Sequence, residues 1–268
     1  MISEPHPMVA STAAPGRESS DAELAAALAR TAGSRLLELR STLRGVTPDE
    51  LKQAADAAAQ ALLAAGLAAA RSRDAVLSEE AADDGVRLDA LRVWIIDPLD
   101  GTREFSEGRS DWAVHVALWA CGSLVTGAVA LPALGTVLTS DPAPVVPSRD
   151  GDRPLRMAVS RSRPPAIALA LAEAMGAELV PMGSAGFKVA AVIRGEVDVY
   201  VHSGGQFEWD SAAPVAVARA AGLHASRLDG SPLRYNQPDP FLPDLVVCRP
   251  DLAAPVLTAL HRLERDVE

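Results

Sequence analysis

The sequence predicts a layered α/β protein, because helix pairs and groups of strands follow one another along the chain. Three observations carry this. Two long helical stretches precede any strand, residues 75–140 read as short strands joined by tight turns, and strands alternate with helices from residue 156 onward.

Ser20-Asp21-Ala22-Glu23 has the form of a capping box opening a helix. Leu24, Leu28, Leu36, Leu39 and Leu43 keep helical spacing, and Gly45 is a natural stop. Thr47-Pro48-Asp49-Glu50 opens a second helix reaching about Ala70: Thr caps, Pro takes the first turn and Glu reaches back. The period then changes. Strands are expected over residues 75–77, 92–96, 112–119, 124–131 and 135–140, with a Pro-rich surface connection over 141–154. Beyond it, strands are expected at 156–159, 178–181 and 197–201, and helices at 165–175, 184–194, 209–221 and 251–265. The organisation expected is a mobile tail over residues 1–19, an α+β half over 20–145 and an α/β half over 146–268.

The chain has 268 residues, of which 49% are hydrophobic and 22% charged. That is enough apolar material for a sizeable core, and it excludes a disordered or fibrous chain. A net charge of -10 argues against a nucleic-acid polymer as partner, which would call for a basic surface. A small anionic substrate remains compatible, since a local cation site overrides the global sign. Two cysteines, Cys121 and Cys248, lack metal-type spacing and fit a reducing compartment. The first twenty residues do not read as a signal peptide, and Asp56, Gln60 and Gly66 interrupt the Ala-rich run over 54–70. The expectation is a soluble, cytoplasmic protein without a membrane span.

Walker, dinucleotide-binding and nucleophile-elbow motifs are absent, which lowers the case for the corresponding enzymes. What stands out is Asp97-Pro98-Leu99-Asp100-Gly101-Thr102-Arg103-Glu104-Phe105, directly after an apolar strand. A strand tip projects two carboxylates into one site, Pro98 forces a turn, and Gly101 permits close backbone approach. If a helical turn starts at Thr102, the Gly101 and Thr102 amides face an anion. Carboxylates beside an anion site make electrostatic sense with a bridging cation, and Mg²⁺ prefers such oxygen ligands. The plainer reading is a capped turn in which Asp97 and Asp100 satisfy backbone amides. By the same token Glu79-Glu80 is a solvated loop and Asp210 a first-turn helix acid.

Ser78-Glu79-Glu80, Asp97 to Thr102 and Trp209-Asp210-Ser211-Ala212-Ala213 together resemble the inositol monophosphatase-like superfamily of metal-dependent phosphatases, in order and in spacing, over roughly residues 20–265. Glu104 before Phe105, Ser160-Arg161-Ser162 and Ser184 to Lys188 resemble its 3'(2'),5'-bisphosphate nucleotidase branch, the CysQ type. The family usually carries Gly where this chain has Ser78. The resemblance implies the layered α/β/α/β/α sandwich of inositol monophosphatase and fructose bisphosphatase. It also implies a Mg²⁺-dependent phosphomonoesterase acting on 3'-phosphoadenosine 5'-phosphate, and on its phosphosulfate, within sulfate assimilation. Inositol-1-phosphate and fructose-1,6-bisphosphate are the enzymatic alternatives, and a catalytically idle anion- or metal-binding protein is the non-enzymatic one. Glu79, Asp97, the Leu99 carbonyl, Asp100 and Asp210 would bind two or three Mg²⁺. Glu79 and Thr102 would hold and activate the attacking water, with Asp56 behind Thr102. Asp100, Gly101, Thr102 and Asp210 would meet the substrate, and Ser160, Arg163, Ser184 and Lys188 would line its leaving-group side. Lithium sensitivity and a homodimer belong to the same expectation.

Outside the motifs, His115 lies in an alternating strand and reads as a satisfied core residue. His202 precedes Gly204-Gly205 and is a pocket candidate. Trp112, Trp119 and Trp209 read as packing residues. Lys188, one of only two lysines with Lys52, reads either as a phosphate contact or as a surface residue.

Overall fold

In the computed structural model, which describes residues 19–43 and 45–265, both capping boxes are formed. The tail expected over residues 1–19 therefore lies, apart from its last residue, outside the described residues. Ser20 starts helix α1 (Asp21–Thr42), and Thr47 starts α2 (Pro48–Ala70) with its amide bound to Glu50 Oε2 at 2.8 Å. Their buried faces, Leu24, Leu28 and Leu36 on α1 and Leu51, Ala55, Ala59 and Leu63 on α2, follow the helical period. Gly66 lets them approach: a Cβ there would lie 2.3 Å from Leu28 Cδ2.

The first sheet contains β1 (Ala75–Ser78), β2 (Arg92–Asp100), β3 (Ala113–Ala120), β4 (Ser123–Leu131) and β5 (Thr136–Thr139), in that spatial order. Strands β1 and β2 are parallel, with Ser78 opposite Ile96, so Glu79 and Asp97 leave the sheet side by side. The other pairs are antiparallel, and His115 on β3 faces Asp97. The register slips between Asp97 and Asp100, a bulge that brings both carboxylates to the same end of the sheet.

The second sheet contains β6 (Arg156–Ser160), β7 (Glu178–Met182), β8 (Val199–Phe207), β9 (His224–Ser226) and β10 (Phe241–Cys248), ordered β7-β6-β8-β10-β9. Strands β9 and β10 were not expected from the sequence. Pro243 and Asp244 interrupt the apolar run of β10, and a register shift between Leu242 and Asp244 absorbs them. Strand β8 also runs past residue 201, where the expected strand ends, through Gly204 and Gly205.

Helices α1 and α2 cover the outer face of the first sheet, with Trp94, Ile96, Val114 and Val116 beneath them. Between the sheets lie α5 (Ala185–Ile193) and α6 (Glu208–Ala220), in a core with Val93, Ile95, Tyr200 and Val247. Helices α4 (Ala166–Met175) and α7 (Ala253–Arg265) close the far face. The result is the expected α/β/α/β/α layering. Helix α6 lies tight against β4, because Gly127 offers no side chain: a Cβ there would be 2.7 Å from the Ala213 carbonyl and from Ala216 Cβ. Helix α3 (Thr102–Ser106) is a short turn after Gly101, whose φ of 91° needs glycine. Among the described residues no helix is long and apolar enough to cross a membrane.

Candidate active site

The strand ends and the start of α6 bring four carboxylates together. Asp97 is fully buried, and Asp100 nearly so. Asp97 Oδ1 accepts from the Leu99 amide at 3.0 Å, and Asp210 Oδ2 accepts from the Phe207 amide at 2.6 Å. The plain reading of both as turn and cap residues is therefore realised, but it uses only one oxygen of Asp97. Asp97 Oδ2 is buried without a hydrogen-bond partner. Burial and the Glu79 charge push the Asp97 carboxyl well above its usual range. Burial and Asp210 push Glu79 up to about 7, and burial and Asp100 push Asp210 up to about 7. Much of Glu79's surface is open to solvent, while the charges of Asp210, Asp100 and Glu80 act on its carboxyl. Acidic groups that raise one another in this way are relieved by a cation, and an all-oxygen donor set suits a hard one. The residues present thus fit the divalent metal that the resemblance implies.

Asp100 is held from the other half of the chain. Its Oδ2 accepts from Ser184 Oγ at 2.5 Å and from the Gly186 amide at 2.6 Å, and its Oδ1 accepts from the Ala185 amide at 3.2 Å. Ser184 adopts φ 45°, a costly conformation for a residue with a side chain, and its hydroxyl also accepts from the Phe187 amide. Glu104 fastens the same turn. It accepts from Arg161 Nη2 at 3.1 Å and fills the space where a Cβ on Gly183 would lie 2.2 Å from its Cγ.

The remaining expected residues are placed as follows. The Thr102 hydroxyl donates to the Leu99 carbonyl at 3.1 Å. Asp56 sits half-buried on α2, pushed up to about 6 by burial and by Glu80. Ser78 donates to Gln60 Oε1 at 2.7 Å and accepts from the Glu80 amide, so it joins α2 to the glutamate turn. Ser160, Arg163, Ser184, Lys188 and Asp210 line one cleft of about 500 Å³, shared with Asp100. Arg163 is exposed, whereas Lys188 is 5% exposed, which removes the surface reading of that lysine. Its ammonium donates to the Gly183 and Ser184 carbonyls and lies 5.3 Å from the centre of the Tyr200 ring, and burial lowers it to about 8.

His115 is more than a satisfied core residue. Its Nδ1 is 3.0 Å from the Trp209 carbonyl, which only accepts, so Nδ1 carries the proton. Its Nε2 is 3.3 Å from Asp100 Oδ2, and the ring fits only because Gly186 has no Cβ, which would stand 1.9 Å from Nε2. Potential ligand atoms of His115, Asp97 and Asp100 lie within 4.8 Å of one another, so the imidazole stands beside the carboxylates. A single His in an otherwise apolar strand was its only sequence signal. Gln206 and Tyr200 also line the cleft, and no sequence motif marks either of them.

The sequence signature of the inositol monophosphatase family matches residues 18–263. The chain is 54% identical over 257 residues to the 3'-phosphoadenosine 5'-phosphate phosphatase of Mycobacterium leprae, covering 91% of this chain and 94% of that protein. It is 29% identical to the 3'(2'),5'-bisphosphate nucleotidase CysQ of Escherichia coli K12, over 80% of this chain and 94% of that one. Among solved structures, CysQ from Bacteroides thetaiotaomicron superposes with a TM-score of 0.74 at 27% identity, covering 85% of this chain and 97% of that chain. Inositol monophosphatase II of Staphylococcus aureus shares the fold, with a TM-score of 0.72 at 20% identity over 86% of this chain and 91% of that chain.

Proposed function

The chain belongs to the inositol monophosphatase family, and from that premise we propose that it removes the 3'-phosphate of 3'-phosphoadenosine 5'-phosphate in a Mg²⁺-dependent hydrolysis. The observation that carries this reading is the crowding of Glu79, Asp97 and Asp210 around Asp100, at the edge of a cleft that also holds Lys188. Asp97, Asp100, Asp210, Glu79 and the Leu99 carbonyl would hold two or three Mg²⁺. When bound, such ions screen the phosphate charge and favour deprotonation of the attacking water.

The protein's own groups do the rest. Glu79 and Thr102 orient a water molecule, and Glu79 takes up its proton, with Asp56 behind them on α2. The Gly101 and Thr102 amides bind the phosphate, with Gly101 supplying the left-handed turn that frees them. Water adds to phosphorus, the bond to the ribose 3'-oxygen breaks, and that oxygen takes a proton from solvent and leaves as a hydroxyl, while Glu79 returns its proton to solvent. Ser160, Arg163, Ser184 and Lys188 face the departing nucleotide, whose 5'-phosphate calls for a cation. The phosphosulfate analogue fits the same scheme. The reading further makes the protein a lithium-sensitive cytosolic homodimer serving sulfate assimilation.

The test is a comparison of kcat/KM on adenosine 3',5'-bisphosphate, inositol-1-phosphate and fructose-1,6-bisphosphate with Mg²⁺. The nucleotide is expected to lead. A lead for either sugar phosphate overturns the substrate assignment, and failure to turn over any phosphate ester overturns the enzymatic one.

A further inference from the structure

One wall of the cleft is built by β8, which carries Tyr200, His202 and Gln206. Gln206 is opposite Leu242, and Tyr200 is opposite Val247. Leu242, Tyr200 and Val247 all belong to the core between the sheets. Cross-strand partners share a face, so Gln206 and Tyr200 both point toward the α5 side of the sheet.

The polar groups of this wall are unequally satisfied. His202 Nε2 is 2.9 Å from the Gly205 carbonyl, and Lys188 is held by two carbonyls. Gln206, by contrast, is 6% exposed, and neither its amide nitrogen nor its amide oxygen has a partner. The Tyr200 hydroxyl is likewise buried and unpartnered. A buried carboxamide with both ends unused is costly, and an apolar side chain of similar size would avoid that cost. The exposed ring of Phe207, stacked on Trp209 at 4.8 Å between centroids, lines the same cleft and adds an apolar face.

We propose that Gln206 is a specificity-determining residue that reads the amino and ring-nitrogen edge of a 6-aminopurine base on the leaving nucleotide. A carboxamide sets a donor and an acceptor side by side, which is the complement of that edge. The proposal rests on the nucleotidase reading and extends it to the base. An inositol or fructose leaving group has no such paired edge.

The experiment uses the Mg²⁺-loaded enzyme and two substrates, adenosine 3',5'-bisphosphate and ribose 3,5-bisphosphate, which lacks the base. Gln206→Leu is expected to lower kcat/KM on the adenosine compound by roughly ten- to a hundredfold, mainly through KM, the size expected for one lost paired base contact. The same variant is expected to leave ribose 3,5-bisphosphate within about twofold, with an unchanged or higher Tm, because a buried unsatisfied amide has been removed. Gln206→Glu keeps the size, loses the donor, and is expected to show the same selective loss. AMP affinity by calorimetry should fall in parallel. Equal losses on both substrates, or no loss on either, overturn the proposal. If the wild type hydrolyses both substrates equally well, base reading fails while the phosphatase reading stands. If it hydrolyses neither, the nucleotidase reading fails first.

Discussion

The ends of β1 and β2 and the wall formed by α5 and β8 meet at Asp100, yet they are encoded differently. On the first side Glu79, Asp97 and Asp100 come from two short motifs, and parallel pairing with Ser78 opposite Ile96 aligns them. On the second side Lys188 comes from α5, and Tyr200 and Gln206 come from positions six residues apart on β8, each with its own surroundings. The first side concentrates negative charge, while the second holds a buried ammonium and orphaned polar groups. Phosphate chemistry needs a fixed constellation and so leaves a motif. Leaving-group choice needs only a few well-placed contacts, so Ser184 to Lys188 leave a short mark in the sequence while Tyr200 and Gln206 leave none.

The sharpest way to break this contrast is Asp97→Asn. A lost charge facing the cations is expected to lower kcat on the order of a thousandfold, about 4 kcal/mol in barrier height. The metal-free variant should nevertheless melt at or above the wild-type temperature, because the amide relieves the repulsion from Glu79. Activity within a few-fold of wild type would show that the first side is not the metal site.

Metal removal is next in size. Glu79 and Asp210 titrate near 7 in the folded chain, above their ordinary carboxylate values. Between about pH 4.5 and 7 the unfolded chain has therefore released protons that the folded chain keeps, so stability falls as pH rises. With chelator present, Tm is expected to drop from pH 5 to pH 8 and then level off. Mg²⁺ should restore it, most strongly at pH 8, where the carboxylates are ionised. A chelated protein whose Tm rises across this window would contradict the crowding.

The second side is tested by Lys188→Met, which keeps the apolar stem. Loss of one charge-assisted contact to the 5'-phosphate should cost about 1.5–3 kcal/mol, roughly ten- to a hundredfold in kcat/KM. Inositol-1-phosphate turnover should be spared. Equal loss on both substrates would instead assign Lys188 to bracing the Gly183-Ser184 turn around Asp100. The smallest expected effect is that of Ser78→Gly. Removing its bond to Gln60 should cost about 1 kcal/mol of stability and change kcat by less than about threefold. A larger kinetic change would mean that this serine sets the position of Glu79.

How much of this was legible in the sequence follows the same division. The capping boxes at Ser20 and Thr47, the strand before Asp97 and the layering could all be read, because local signals and packing agree there. Strand β10 escaped, because a bulge admits Pro243 where a regular ladder would not. The sequence around His115 indicates only a core role, since its meeting with Asp100 depends on a cross-strand register and on the missing side chain of Gly186. Gln206 escaped altogether. An unpaired amide is a property of its surroundings and leaves no mark in the residue order.

The glycine at 127 has a reach beyond its own contact. It sits on β4, away from the carboxylates, and it sets the separation between the first sheet and the helix that carries Asp210. That spacing is a gauge, and the alanines of α6 are its graduations. A single methyl group would act as a wedge, lifting Asp210 from Asp97 and Asp100 while leaving all four carboxylates chemically intact. Mutational tolerance would then fail to follow distance from the chemistry: an inert position in the interior would be as intolerant as the ligands it spaces.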